Sequence, residues 1–386
     1  VNIMMHRCWL LVAILLAGCA APPALPTARL SVADALRAPD RSGFLRADGP
    51  RAFSFPADHG PHPGYAVEWW YVTANLATAE GRRFGVQFTL FHIALAPGAT
   101  PRASEWGSHA VMMGHFAVAD IAASRFHAFE RFSRVGAGLA GATASPSLRV
   151  WLEDWSLAAL DAQALPMRID AAQEGVAVAL RLDAGDPPVL QGVDGLSQKS
   201  AEPGNASYYY SLMRLPTSGT IRVDGVSYAV SGDAWLDREW STSALGEDQI
   251  GWDWFALQLD DGSEVMFYQL RRRDGTADPA SKGVLIAGDG ARTDLRAADV
   301  TLATTRTWRS PRTAADYPAG WRLAAPAAAV ALEITPLLAD QELPTTVVYW
   351  EGAVQVRGTI AGRDVRGYGY VELTGYADDP AAGLTR

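Results

Sequence analysis

The chain is predicted to be all-β and to divide into two β domains. From Phe53 onward, short apolar or alternating runs are separated by Gly, Pro, Asp and Asn, the texture of sandwiches and barrels. Long amphipathic helical patterns are missing. At 386 residues, of which 49% are apolar, the chain is long enough for two domains of ordinary size, each with its own core.

The N-terminus reads as a processing segment. Arg7 precedes an apolar run from Cys8 to Leu16, which leads into Leu16-Ala17-Gly18-Cys19. This box resembles a bacterial lipoprotein signal. The resemblance implies that residues 1–18 are a signal peptide and that Cys19 becomes the lipidated first residue, with Ala20 beside it. It further implies a bacterial cell-envelope protein anchored by lipid, on the periplasmic face of the outer membrane. An anchor helix fits less well, because the run is shorter than the ~20 residues that span a bilayer. Cys8 and Cys19 are the two cysteines of the chain, so lipidation would leave no thiol for a disulfide, a nucleophile or a thiolate metal site. A formal charge of -9, with no basic stripe, argues against a nucleic-acid binder.

Residues 19–50, rich in Ala, Pro and Arg, read as a semi-rigid linker with a short helix at Ser31 to Arg37. The β domains are expected at 51–200 and 201–386, joined within Asp183 to Leu215. In the first, strands are expected at Glu68 to Asn75, Arg83 to Ala94, His109 to Ile121, Leu148 to Leu157 and Val176 to Leu182. Alternation is clean in Phe84 to Leu90, which puts Phe84, Val86, Phe88 and Leu90 on one buried face and Gln87 and Thr89 on the other. In the second, the series runs from Gly219 to a closing strand at Gly367 to Leu373. Ser207 to Ser211, with its three tyrosines, reads as a loop crossing between the domains.

Chemistry concentrates in Gly232 to Gly262. Four of the thirteen tryptophans fall here, Trp235, Trp240, Trp252 and Trp254, interleaved with Asp233, Asp237, Glu239 and Asp253. Residues two apart share a face of a strand, so Trp235, Asp237 and Glu239 line one side of a first strand, and Trp252 and Trp254 one side of a second. The Gly-Glu-Asp-Gln connection reads as an irregular hairpin-like turn. Carboxyl groups beside indole faces suit an acid-initiated reaction on an apolar substrate: burial raises the pKa of the donor, and the π faces stabilise a developing cation. They equally suit sugar stacking with two-carboxylate hydrolysis. A polar core in which Arg238, Arg271, Arg272 and Arg273 hold the acids uses the same residue types.

Asp58-His59-Gly60-Pro61-His62, followed by Glu68-Trp69-Trp70-Tyr71, is a second dense patch. Histidine spacing (His59, His62, then His92 or His109) fits no closed metal site, and no metal or cofactor is expected. His59 or Glu68 serves better as a general acid or base. Glu68 to Tyr71 and Arg238 to Trp240 look like equivalent places in two duplicated halves. Ser197 and Lys199 lack the Ser-x-x-Lys spacing, and no G-x-S-x-G elbow occurs. Asp260-Asp261-Gly262 is a turn signal before it is a calcium loop.

These stretches, with Gln87 to Phe91, Gly251 to Phe255, Tyr349-Trp350-Glu351-Gly352 and Gly369 to Tyr376, resemble the carotenoid 1,2-hydratases (hydroxyneurosporene synthases) and their secreted AttH-type relatives. The resemblance implies two lipocalin-like (calycin) β-barrel halves packed together, with an apolar ligand between or within them. Its hydratase branch implies protonation of a terminal terpenoid C=C and capture of the cation by water. That branch carries Asp-His-x-Trp where this chain has Asp237-Arg238-Glu239-Trp240, and Tyr-x-Asp where it has Phe267-Tyr268-Gln269. Asp237, Trp240 and Tyr268 carry over. An arginine cannot shuttle protons near neutral pH, so the acid falls to Asp237, Glu239 or Asp253.

Three readings follow. The first is a hydratase or isomerase: Asp237 or Asp253 protonates, Trp240, Trp252 and Trp254 stabilise the cation, and Tyr268 with Glu239 positions water. His59, Glu68, Trp69, Trp70, Tyr71 and Trp235 complete the ligand surface. The second is a tethered carrier that hands a lipid or terpenoid to an envelope transporter. The third is a glycan binder or glycosidase that uses Asp237 with Asp253.

Overall fold

A computed structural model describes residues 42–98, 104, 106–242 and 245–377. These are largely strand, with helix confined to single turns such as Ala57–His59. Cys19, the rest of the lipoprotein signal and the helix expected at Ser31 to Arg37 lie outside the described residues.

The first sheet holds β1 (Val67–Ala77), β2 (Arg83–Ala94), β3 (Ala110–Asp120), β4 (Arg125–Arg134), β5 (Ala140–Thr143), β6 (Arg149–Leu152), β7 (Trp155–Ala159), β8 (Met167–Gln173), β9 (Val176–Leu182), β10 (Val189–Leu190), β11 (Leu196–Gln198), β12 (Ala206–Val223) and β13 (Val226–Ser241). Its order is β4-β3-β2-β1-β13-β12-β9-β8-β7-β6-β5, with β10 and β11 also paired to β12. The second half holds β14 (Gln249–Leu259), β15 (Glu264–Arg272), β16 (Lys282–Ile286), β17 (Arg292–Arg296), β18 (Thr301–Thr304), β19 (Thr307–Arg309), β20 (Asp316–Pro318), β21 (Trp321–Ala325), β22 (Val330–Pro336), β23 (Glu342–Leu343), β24 (Tyr349–Ile360) and β25 (Arg363–Thr374). The second sheet runs β17-β16-β15-β14-β25-β24-β22-β21-β18, with β23 beside β24 and a separate β19-β20 ribbon. The expected all-β class and the two near-barrel halves are therefore present.

Each sheet curls around its own core. Trp70, Phe88, Trp155, Tyr210 and Trp240 belong to the first, and Phe255, Trp321, Trp350 and Val371 to the second. A third cluster, with Tyr71, Tyr209, Trp235, Trp254, Met266 and Tyr370, lies where the halves meet. In β2, Phe84, Val86, Phe88 and Leu90 enter the first core as alternation requires. Gln87 and Thr89 on the opposite face are also buried, because the second half covers them. Gly85 marks the close approach: a Cβ there would sit 2.6 Å from the Tyr370 hydroxyl and 2.7 Å from Ala353 Cβ. Hydrogen bonds stitch the seam, from Asn75 Nδ2 to Gly369 O at 3.0 Å and from Gln258 Nε2 to Met213 O at 2.7 Å.

Four expectations are corrected. The halves divide between Ser241 and Gln249 rather than at residue 200, since β12 and β13 complete the first sheet. Their pairing with β9 and β1 joins the two parts of that sheet through contacts between residues far apart in the chain, which local pattern cannot register. The Trp235 and Trp252 strands form no hairpin, because β13 and β14 lie in different sheets. Glu68 to Tyr71 and Asp237 to Trp240 are adjacent strands of one sheet, with Glu68 opposite Trp240 and Tyr71 opposite Asp237, so they are not equivalents in two copies. Finally, Ser207 to Ser211 begins β12, and its tyrosines are buried: Tyr208 and Tyr210 in the first core, Tyr209 at the seam. The end of the expected linker is also docked, with Ala47 buried in the first core and Tyr208 donating its hydroxyl to Gly49 O at 2.7 Å.

Candidate functional site

Alternation in the strands on either side of the seam decides which side chains meet. In β1, Val67, Trp69 and Tyr71 point towards the second half, while Trp70 and Val72 enter the first core. In β13, Trp235, Asp237 and Glu239 take the seam side, and Leu236 and Trp240 the core side. Trp252 and Trp254 of β14 and Tyr268 and Leu270 of β15 face back at them. Between these faces is a cavity of about 160 Å³. Its rim is apolar and half-buried, made by Trp69, Phe91, Ile93, Met113, Trp252 and Val347. Its depth is polar: Asp237, Glu239, Lys199, Tyr209 and Tyr268 are buried, and Glu372 is half-buried.

Asp237 is the most elaborately held group. Its Oδ1 accepts from Ser211 Oγ at 2.6 Å and from Trp235 Nε1 at 2.7 Å, and its Oδ2 from the Tyr209 hydroxyl at 2.5 Å. Tyr209 in turn accepts from Trp254 Nε1 at 3.2 Å. Burial pushes the Asp237 pKa up to about 7, with Glu239 adding to the rise and the three donors opposing it. Trp235 thus reaches the site as a donor to Asp237, without lining the cavity itself. Glu239 pairs with Lys199 Nζ at 2.9 Å. Burial pushes the Lys199 ammonium down, but Glu239, Tyr268 and Asp237 outweigh it and hold the group above its ordinary value. Lys199 Nζ also sits 4.6 Å from the Tyr268 ring centre, and the Tyr268 hydroxyl is 2.8 Å from Ser197 Oγ.

Glu372 stands opposite Glu351 across the β24-β25 ladder. Tyr71 donates to Glu351 Oε1 at 2.6 Å, whereas Glu351 Oε2 has no hydrogen-bond partner among the described residues. Burial, and then the neighbouring Glu372, drives Glu351 well above the carboxylate range. Burial likewise raises Glu372, with Asp237 and Glu239 contributing. Two facing carboxyls in a dry seam cannot both ionise.

Five of the sequence candidates face elsewhere. Asp253 is on the core side of β14, where Arg271 Nε lies at 3.0 Å and the Tyr376 hydroxyl at 2.9 Å. It shares no cavity with Asp237, so the proposed glycosidase pair is not assembled. His59, Glu68, Trp70 and Trp240 belong to the inward face of the first sheet. There His59 Nδ1 is 2.6 Å from the Tyr210 hydroxyl and the His62 ring stacks on Trp240 at 3.6 Å. Burial, with Arg238 nearby, lowers the His59 pKa to about 4. Arg238 also faces this way, so the arginine that stands where a histidine was expected does not touch the cavity.

Other groups escaped the sequence reading. Tyr209 lies in a segment that reads as a loop, and Lys199 stands at a spacing from Ser197 that fits no acyl-transfer motif. Glu351 and Glu372 were visible as lone acids in apolar strands, a signal of a buried carboxyl. His115 and Tyr349 carried no local signal, since only the packing of the two halves brings them together.

The chain matches the AttH-like family model over residues 46–376. The chain belongs to the AttH-like family. An AttH-type protein from Nitrosomonas europaea has a solved structure similar to this one, at 35% identity and a TM-score of 0.76, covering 86% of this chain and all (100%) of that one. Kievitone hydratase from Nectria haematococca shares the fold, with a TM-score of 0.64 at 16% identity over 87% of this chain and 99% of that chain. A kievitone hydratase from Fusarium solani subsp. phaseoli is 28% identical over 176 residues, 43% of this chain, and the match spans about half (49%) of that relative's length.

The folded pKa of Asp237 lies above its unfolded value, so its protonation stabilises the fold fully below about 4, and this contribution is lost as pH rises towards about 7. The melting temperature of Asp237→Asn, which has no such proton, is expected to fall less than wild type between pH 5 and pH 8, as read by thermal melts at matched ionic strength. Parallel curves would show that Asp237 is not held protonated.

Proposed function

We propose that this AttH-like protein is a hydro-lyase-type enzyme that protonates an alkyl-substituted C=C at the end of an apolar molecule and adds water to the cation. The supporting observation is the cavity itself: an aromatic and aliphatic rim leads to a buried carboxyl, Asp237, poised near neutral pH. Burial keeps Asp237 protonated before the reaction, and Ser211, Trp235 and Tyr209 stabilise the carboxylate once the proton has left. Trp252, Trp254 and Trp69 offer π faces to the cation. Glu239, held by Lys199, and Tyr268 supply polar groups for the attacking water. A cavity of about 160 Å³ is near the ~150 Å³ that accepts benzene. It therefore suits one branched hydrocarbon end, such as that of an isoprenoid, the remainder passing over the rim. The resemblance to kievitone hydratase supports water addition as the reaction class.

A carrier uses the same cavity without changing its guest, and the two readings separate in one experiment. The protein is incubated with kievitone and a panel of prenyl-ended alcohols in isotopically labelled water, and products are read by mass spectrometry. Hydration predicts label at oxygen and one solvent-derived hydrogen on the adjacent carbon. Binding without label incorporation would leave the carrier reading, with hand-over to an envelope transporter as its corollary. We further propose that the chain is lipid-anchored at Cys19 in the bacterial envelope, with the linker spacing the body from the membrane. Loss of radiolabelled palmitate incorporation in Cys19→Ser is the expected result; equal labelling would remove the anchor.

A further inference from the structure

The cavity has a second polar wall that the acid step does not use. His115 on β3 and Tyr349 at the start of β24 come from different halves, and both line it. The Tyr349 hydroxyl lies 2.7 Å from His115 Nδ1, and His115 Nε2 lies 3.1 Å from Glu130 Oε1 on β4. Glu130 is the cross-strand neighbour of His115. Its carboxylate also accepts from Thr346, from the backbone N at 3.0 Å and from Oγ1 at 2.7 Å. Phe91 packs edge-on against the His115 ring at 5.4 Å.

The direction of these bonds follows from chemistry. An ionised carboxylate only accepts, so His115 carries its proton on Nε2, its Nδ1 is an acceptor, and the Tyr349 hydroxyl must donate to it. Exposure follows the same order: the His115 side chain is 1% exposed and that of Glu130 is 17% exposed. Burial alone would raise the Glu130 pKa, but His115 and Thr346 outweigh it and keep the group below the usual carboxylate value. A hydroxyl, an imidazole and a carboxylate thus run in series from the cavity to the surface, the logic by which a hydroxyl is deprotonated through an oriented histidine.

Resting on the hydratase reading, we propose that Tyr349, His115 and Glu130 form the route by which the attacking water loses its proton. As the water oxygen bonds to the cation, one of its O–H bonds breaks and the proton goes to Tyr349 Oη. The Tyr349 proton passes to His115 Nδ1, and Glu130 steadies the imidazolium until the proton leaves to solvent. Asp237, which gave its proton to the alkene carbon, takes one back, so the cycle is balanced without oxidant or reductant. Tyr349 touches the water; His115 and Glu130 act through it.

The test combines turnover and spectroscopy on the whole protein. With a substrate from the panel above, Tyr349→Phe is expected to lower kcat by ~10²–10⁴-fold with KM little changed. Imidazole in the buffer is expected to restore part of the loss in His115→Ala. If Asp237→Asn lowers turnover by ~10²–10⁴-fold while Tyr349→Phe and His115→Ala retain wild-type kcat, the relay is wrong and the hydratase reading stands. If no panel member turns over, nitrogen NMR of labelled histidine decides the relay independently. An Nε2–H tautomer whose Nδ1 resonance moves in Tyr349→Phe supports it, and an Nδ1–H tautomer, or an unmoved Nδ1, overturns it.

Discussion

Asp237→Asn is expected to lower turnover by ~10²–10⁴-fold, the usual contribution of a positioned acid, while the protein still folds and still binds its apolar guest. The amide oxygen can keep the bonds from Ser211 and Trp235, and its NH2 can donate to the Tyr209 hydroxyl oxygen, which now accepts from Trp254 at 3.2 Å. What is lost is the proton. Wild-type turnover should itself fall as pH rises through about 7, because the reactive form of Asp237 is the protonated one. The variant should show residual turnover without that limb. Stability gives an independent sign: above pH 7 the wild type carries a buried ionised carboxyl and Asn does not, so the variant should gain relative to wild type with rising pH. Full activity in Asp237→Asn would mean that Glu372 or another carboxyl supplies the acid.

How much of this was legible in the sequence depended on range. Alternation in Trp235-Leu236-Asp237-Arg238-Glu239-Trp240 correctly put Asp237 and Glu239 on one face, and in Trp252-Asp253-Trp254 it put both indoles together. The same rule separates Asp253 from Trp252, and Arg238 and Trp240 from Asp237, so these side chains do not share one face. The facing of β13 by β14 across a seam was not legible, because it depends on how two curled sheets pack. Gln87 and Thr89 illustrate the point. Their polarity marks a solvent face in an isolated barrel, yet here they are buried at 1% and 0% exposure under the second half. His115 and Tyr349 are separated by 234 residues, so no window of sequence could join them.

Arg238→Met is expected to destabilise the fold by about 3–5 kcal/mol, because it strands a buried carboxylate. Arg238 is wholly buried, and its guanidinium lies 3.7 Å over the Trp70 ring. It donates to Gly60 O at 2.5 Å and to Trp69 O at 3.1 Å, and it pairs with Glu68 Oε2 at 2.5 Å. It therefore fastens the Ala57–His59 turn and the strand β1 to β13. Burial alone would raise the Glu68 pKa; Arg238, with His62 and His92, holds it down to about 2. The sign of the pH effect follows. Stability from this lowered pKa is present above about 4.5 and is lost as pH falls towards about 2, so the deficit of Arg238→Met should shrink as pH falls from about 4.5 towards about 2. For a body of roughly 330 residues the melting temperature should drop by roughly 4–7 °C at neutral pH. Glu68→Gln in the same chain removes the stranded charge, so the double variant should melt above Arg238→Met alone. Since this latch faces the first core and the cavity opens on the other side of the sheet, the folded fraction of both variants should still take up apolar ligands. Equal melting of the single and double variants would mean that Glu68 does not depend on Arg238, and that the arginine serves the carbonyls of Gly60 and Trp69 instead.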